Sequence, residues 1–155
     1  MPQWSSQFSA EFAAIIARGL GLPQKEDAGF DDVTEKDWYY RYINTAYAYG
    51  IIKGVSDTKF LPNGTITREE AAVMLTRAAA LCGMDTDINL LSVRDVLAQF
   101  IDYVKASDWA QEALAFCYRE EILSNDAMEI KPKEAITRAE ISFMLFRMLS
   151  LAKLL

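Results

Sequence analysis

The sequence predicts an all-α protein assembled from repeated helix–loop–helix units, and three observations carry that prediction. The chain resembles itself: Ile66-Thr67-Arg68-Glu69-Glu70 returns downstream as Ile136-Thr137-Arg138-Ala139-Glu140. The apolar residues after each motif also coincide. Ala71, Met74, Leu75, Ala78 and Cys82 match Ile141, Met144, Leu145, Met148 and Ala152, at i, i+3, i+4, i+7 and i+11, which is one stripe of an α-helix. The upstream halves repeat as well: Asp37-Trp38 and Asp108-Trp109 each open a helix, and Ile51-Ile52 answers Ile122-Leu123 at the same offset of 71.

The first helix is expected over 9–19, where Phe12, Ile15, Ile16 and Gly19 follow Glu11 and the run reaches Arg18, a third copy of the stripe pattern. A second, over 37–49, carries Tyr39, Tyr40, Tyr42, Tyr47 and Tyr49, more rings than a core face requires. One side of it reads as core, the other as a surface for a protein partner or a glycan. A turn-rich loop follows, Gly54 to Gly64, and its counterpart runs from Asn125 to Glu134, with Phe60 and Pro62 answering Ile130 and Pro132 at an offset of 70. The helix over 67–82 starts on Thr-x-x-Glu, in which Thr at the N-cap accepts from the N3 amide and Glu reaches back to the N-cap amide. That capping box leaves one feature unexplained. Arg68 and Arg138 stand at the first helical position, where the helix dipole disfavours a cation. An arginine beside open helix amides suits a carboxylate or phosphate. Residues 85–99 are an insertion, and Leu90, Leu91, Val93, Val96 and Leu97 predict a short structural helix over 89–99. Helices over 108–120 and 137–153 complete the set, with at most very short strand pairs in the loops.

Composition narrows the function. A chain of 155 residues suits one compact domain, and a net charge of −6 argues against a nucleic-acid binder, which needs a basic face. There is no histidine, which removes the commonest general base and metal ligand, and no nucleophile–base pair is spelled out. The chain therefore reads as a binding protein and not an enzyme, with neither metal nor cofactor. A glycosidase needs only two carboxylates, so composition alone does not exclude one. Cys82 and Cys117 read as buried thiols, with a disulfide as the alternative. The opening MPQWSSQF has neither a basic nor an apolar segment of a signal peptide, and no stretch has the length of a membrane span.

Phe30-Asp-Asp-Val33, Asp37-Trp38, Gly50-Ile-Ile-Lys-Gly54, Asp57, Phe60-x-Pro62 and Ile66-Thr-Arg-Glu-Glu70, taken in order, closely resemble the S-layer homology (SLH) domain. The resemblance divides a single domain over 1–155 into a partial repeat (8–29), a complete repeat (30–84), the inserted helix (85–99) and a divergent repeat (100–155). It implies a pseudo-threefold bundle in which the helices starting at 9, 67 and 137 pack centrally, with ligand grooves between adjacent units. It further implies an exported protein tethered non-covalently at the cell surface to pyruvylated secondary cell-wall polysaccharide, the motif arginine and loop residues facing the sugar and its carboxylate. The alternative is a helical protein–protein module that has lost glycan binding.

The expected ligand-binding residues are Arg68, Lys53, Gly54, Asp57, Lys59, Trp38, Arg138 and Trp109. Trp38 and Trp109 read as interface packing or as platforms for a sugar ring. Asp57 reads as a turn former or a site residue, and Lys53 and Lys59 as solvated charges or as cations that concentrate positive potential near Arg68. The copies differ. Ser9 stands where Arg68 stands, Ser124 replaces Lys53, Asn125 replaces Gly54, Glu129 replaces Lys59 and Glu121 replaces Gly50. The middle copy alone keeps the whole pattern, so one competent groove is expected.

Overall fold

The computed structural model describes residues 8–25 and 29–154. The reading of the N-terminal segment falls on residues 1–7, outside the described residues. Among the described residues there are six α-helices and no named strand, only one isolated bridge between Thr67 and Ala135, as the all-α reading requires. The chain divides into two compact units, residues 1–66 and 67–155.

The first unit holds α1 (Phe8–Gly19) and α2 (Tyr40–Ala48), which pack together. α1 buries Phe12, Ala13, Ile16 and Ala17 along one face, and α2 contributes Ile43 and Ala46. α2 begins three residues later than Asp37 suggests. The Thr34 N–H donates to the Asp37 carboxylate at 2.8 Å, so Asp37 closes a turn ahead of the helix. The helix ends with Gly50 at φ +76°, where Ile51 N–H reaches back to the Ala46 carbonyl at 2.9 Å. Glycine takes that left-handed geometry without steric penalty.

The second unit holds α3 (Arg68–Leu81), α4 (Leu90–Leu97), α5 (Gln111–Arg119) and α6 (Arg138–Leu151), with 3-10 turns at Tyr103–Lys105 and Asp108–Ala110. α3 packs on α5 and on α6, and α4 packs on α5. Ile141, Met144, Leu145 and Met148 are buried on α6. On α3 the buried face centres on Ala71, Ala72, Leu75, Ala78 and Ala79. Met74, expected in the core, lies about 100° of helix rotation from the centre of that face and is half-buried. The inserted helix forms as expected, capped by Asn89, whose side-chain Oδ1 accepts the Ser92 N–H at 2.9 Å. Its contact is made by Val93 and Leu97, while Leu90 and Leu91 are exposed.

One construction appears in both units. Asp32 accepts the N–H groups of Phe60 and Leu61 at 3.0 and 2.8 Å. Asp102 accepts those of Ile130 and Lys131 at 2.7 and 2.8 Å. Each carboxylate pins a loop in which Leu61 or Lys131 has φ near +55° (58° and 53°). That loop then meets a helix start. Ser9 and Ala10 donate their N–H groups to the Gly64 and Pro62 carbonyls at 3.1 and 3.2 Å, and Arg68 and Glu69 donate theirs to Glu134 and Pro132 at 2.9 and 3.0 Å. The helix of one copy is therefore seated on the loop of the next copy. The open amides expected beside Arg68 are taken by those carbonyls and by Thr67, whose hydroxyl accepts from Glu70 N–H at 3.2 Å. Orphan donors at a helix start need partners, and the next loop supplies them.

Candidate functional site

Seating α1 and α3 on the loops that follow them decides which site residues meet. In the first unit Phe30, Tyr47, Ile52, Lys53, Gly54 and Asp57 line an open cavity of about 620 Å³. Phe30 meets Tyr47 edge-on at 5.2 Å between ring centroids and Phe60 at 5.7 Å, which gives the cavity an aromatic wall. Among the described residues Lys53 makes no ion pair. Gly54 is required by space: a Cβ there would lie 2.5 Å from the Lys59 and Ser56 carbonyl oxygens and from the Phe30 ring. Lys59 closes the loop, accepting the Ser56 N–H on its carbonyl at 3.3 Å and donating its own N–H to the Ser56 hydroxyl at 3.1 Å, with its side chain exposed outside the cavity lining. Trp38 is 52% exposed and meets the rings of Tyr39 and Tyr42 at 5.4 and 6.4 Å. It does not line this cavity.

In the second unit Arg68 lines a cavity of about 390 Å³ together with Leu123, Ser124, Asp126, Glu129, Glu140 and Phe143. Its Nε donates to the Ile130 carbonyl at 2.9 Å, and a terminal guanidinium nitrogen pairs with the Glu140 carboxylate. Arg68 thus meets the loop of the downstream copy, where Ser124 takes the position of Lys53. By the same register Ser9 occupies the arginine's position in the first unit, and its hydroxyl donates to the Gly64 carbonyl at 2.8 Å. Arg138 opens α6 and lies outside both cavity linings. Trp109 sits in the 3-10 turn before α5, 61% exposed.

Charge placement has three clear physical causes. Burial pushes the Asp32 carboxyl up, but the Phe60 and Leu61 N–H groups and Lys59 outweigh it and hold the group below its ordinary value. Glu69, only 2% exposed, is likewise raised by burial and lowered further by Lys133 and Ser107, with a net depression. Its carboxylate accepts from Ser107 N–H at 2.9 Å, Ser107 hydroxyl at 2.8 Å and Lys133 Nζ at 2.6 Å. Burial raises the Tyr118 phenol, a rise that Arg68 opposes. Cys117 is fully buried and pushed up to about 12, and both cysteines are free thiols. The disulfide alternative is not formed.

Sequence reasoning missed the role of four of these residues. Asp32 was visible only as a motif letter, and its counterpart Asp102 was not singled out. Glu69 stands where Ala10 and Ala139 stand in the other copies, and that departure was the available signal. Glu140 reads from the sequence as a cap, whereas in the fold its carboxylate lies on Arg68.

A helical-repeat module with a furnished cavity in each unit is a binding architecture. The family model of the S-layer homology domain matches residues 29–72 and 100–141, and the chain belongs to that family. It is 34% identical over 133 residues to an endoglucanase of Bacillus sp. (strain KSM-635), covering 84% of this chain and 13% of that protein. It is 31% identical over 142 residues to the surface-layer 125 kDa protein of Lysinibacillus sphaericus, covering 89% of this chain and 11% of the relative. An amylopullulanase of Thermoanaerobacterium thermosulfurigenes is 29% identical over 123 residues, 78% of this chain and 6% of the relative. The chain therefore spans a small fraction of each relative, and the enzymes among them are matched over a minor part of their length.

Proposed function

We propose that this chain anchors the protein that carries it to the bacterial cell wall, outside the cell, by binding a secondary wall polysaccharide whose sugars bear carboxylates, the pyruvate ketal above all. Family membership and the surface-layer relatives support surface anchoring, and no catalytic role is assigned to the chain. The observation that carries the ligand class is the first-unit cavity. Lys53, without an ion pair among the described residues, stands beside an aromatic wall in a space of about 620 Å³, large enough for a sugar unit. A sugar ring lays its C–H face on Tyr47, which is 41% exposed, while its carboxylate meets the ammonium. Gly54 keeps the loop backbone close, and Asp57 faces the sugar hydroxyls. Arg68 with its loop forms the corresponding position of the second unit, and Trp38, Lys59, Arg138 and Trp109 are the remaining candidates for polymer contact.

The test is co-sedimentation with purified wall polymer before and after chemical removal of its ketals. Retention on the native polymer and release from the stripped one is the expected result. Equal retention on both refutes the carboxylate as the recognised group.

One observation favours the second reading, a protein-binding module. Phe143 and Phe146 on α6 are 49% and 57% exposed, whereas their α3 counterparts are half-buried Val73 and Thr76, and the Thr76 hydroxyl meets Cys117 on α5 at 3.6 Å. The tyrosine-rich α2 offers a further face for such a partner. Binding to cell-wall proteins with no affinity for the polymer is the outcome that selects this reading.

A further inference from the structure

The two helix starts with the same Thr-x-x-Glu sequence use their glutamates differently. In α3 the box is closed: Glu70 N–H donates to the Thr67 hydroxyl at 3.2 Å, and Thr67 N–H donates to the Glu70 carboxylate at 3.3 Å. In α6 half of it is present. Glu140 N–H donates to the Thr137 hydroxyl at 3.1 Å, but the Glu140 carboxylate is on Arg68. Among the described residues the Thr137 N–H has no partner, and Thr137 is exposed.

From this we infer that Glu140 is a built-in competitor for the Arg68 cavity, a two-position carboxylate that an acidic ligand displaces from Arg68 onto the Thr137 amide. The inference rests on the proposed carboxylate ligand and adds how access to the second-unit site is controlled. The chemistry on each side is matched. Arg68 is 18% exposed, fixed from behind by the Ile130 carbonyl through Nε and flanked by the Tyr118 phenol, so the edge it turns to Glu140 has room for one carboxylate at a time. The Glu140 side chain, at 40% exposure, has room to turn. Its vacated role is refilled by the ligand, and its new place reproduces the bond that Glu70 already makes in the same fold. Displacement therefore exchanges one carboxylate for another on Arg68 and adds a cap bond, so the gate opens without leaving a buried charge unpaired. The acidic neighbours Asp126 and Glu129 in the lining favour a ligand that carries a single carboxylate on a neutral sugar over a polyanion.

The experiment titrates the full chain with a methyl hexoside bearing a 4,6-pyruvate ketal, followed by amide NMR and calorimetry. Glu140→Gln keeps a cap-competent side chain and removes the competing charge. It is expected to bind the ketal about ten-fold tighter than wild type, and the gain is expected to vanish in the Arg68→Ala background. In the wild-type protein, ketal addition is expected to move the Thr137 amide resonance downfield as Glu140 arrives, a readout that holds even if a variant folds poorly. Unchanged affinity in Glu140→Gln, or an equal gain without Arg68, overturns the gate, as does an unmoved Thr137 amide at saturation. When wild type binds the ketal and those readouts fail, the gate alone falls and the glycan reading stands. When neither protein binds the ketal, both fall.

Discussion

Glu69 gives the sharpest test of how the second unit holds Arg68 in place. Its carboxylate ties the first turn of α3, and with it Arg68, to the 107 turn and the 133 loop. Replacing it by alanine strands the Ser107 N–H and removes a side chain that is only 2% exposed. Hydrogen bonds to a charged group are worth about 1.5–3 kcal/mol each. The Ser107 hydroxyl can turn to water, and Lys133 is 57% exposed, so the lysine contribution is discounted for solvent screening. One lost charge-assisted bond with an unsatisfied amide and a small cavity gives about 3 kcal/mol, a substantial part of the roughly 5–15 kcal/mol that stabilises a domain. At about 2–4 °C per kcal/mol for a chain of this size, Glu69→Ala should melt about 6–12 °C below wild type. The sign of the pH dependence follows from the depressed native value. The carboxylate's contribution is complete above the ordinary glutamate value of 4.5 and is lost as pH falls through the lower folded value. The gap between wild type and variant should therefore stay constant at neutral pH and close below about pH 4.5. Thermal unfolding followed by circular dichroism across pH measures both effects. A variant that melts within 1–2 °C of wild type at pH 7 (less than about 1 kcal/mol) refutes the reasoning.

Met144→Asp should unfold the second unit, because Met144 is 1% exposed and an unpaired buried charge costs several kcal/mol, whereas Met74→Asp on the half-buried rim should cost far less; comparative urea melts decide. Gly54→Ala should abolish polymer retention and lower stability, since its Cβ would sit 2.5 Å from two backbone carbonyls, and an unaffected variant would show the loop to be adaptable. Glu121→Gly should stabilise by about 0.5–1 kcal/mol by relieving a left-handed residue at φ +58°. Loss of the 3.6 Å pair with Arg147 offsets part of that gain, and a lower melting temperature would mean the pair outweighs the strain.

The periodicity of the chain made its helices legible. A stripe at i, i+3, i+4 and i+7 located α1, α3 and α6, and the Thr-x-x-Glu boxes marked two of their starts. The core was less so, because the stripe does not say which of its edges faces in: Met74 lies on the rim and its counterpart Met144 is fully enclosed. Gly54 was legible as a motif position, and the structure supplies the reason in three atoms that a Cβ would strike. What sequence could not give was partnership between copies. Like aligned with like, the copies join Arg68 to its own loop at Lys53. In the structure the starts of α1 and α3 are seated on the loop that follows, so Arg68 pairs with Glu140 and shares a cavity with Ser124, and Ser9 stands in the arginine's position toward Lys53's loop. Hydrogen bonds such as Arg68 N–H to the Glu134 carbonyl are non-local, and nothing in residue spacing encodes them.

The most direct test of carboxylate-dependent anchoring is the affinity of the full chain for ketal-bearing wall polymer, measured by calorimetry for wild type and for Lys53→Met. Removal of one cation facing a ligand carboxylate should weaken binding about ten-fold, with melting temperature unchanged because Lys53 is exposed. Polymer affinity equal to wild type in Lys53→Met, with the same indifference in Arg68→Ala, would contradict the account.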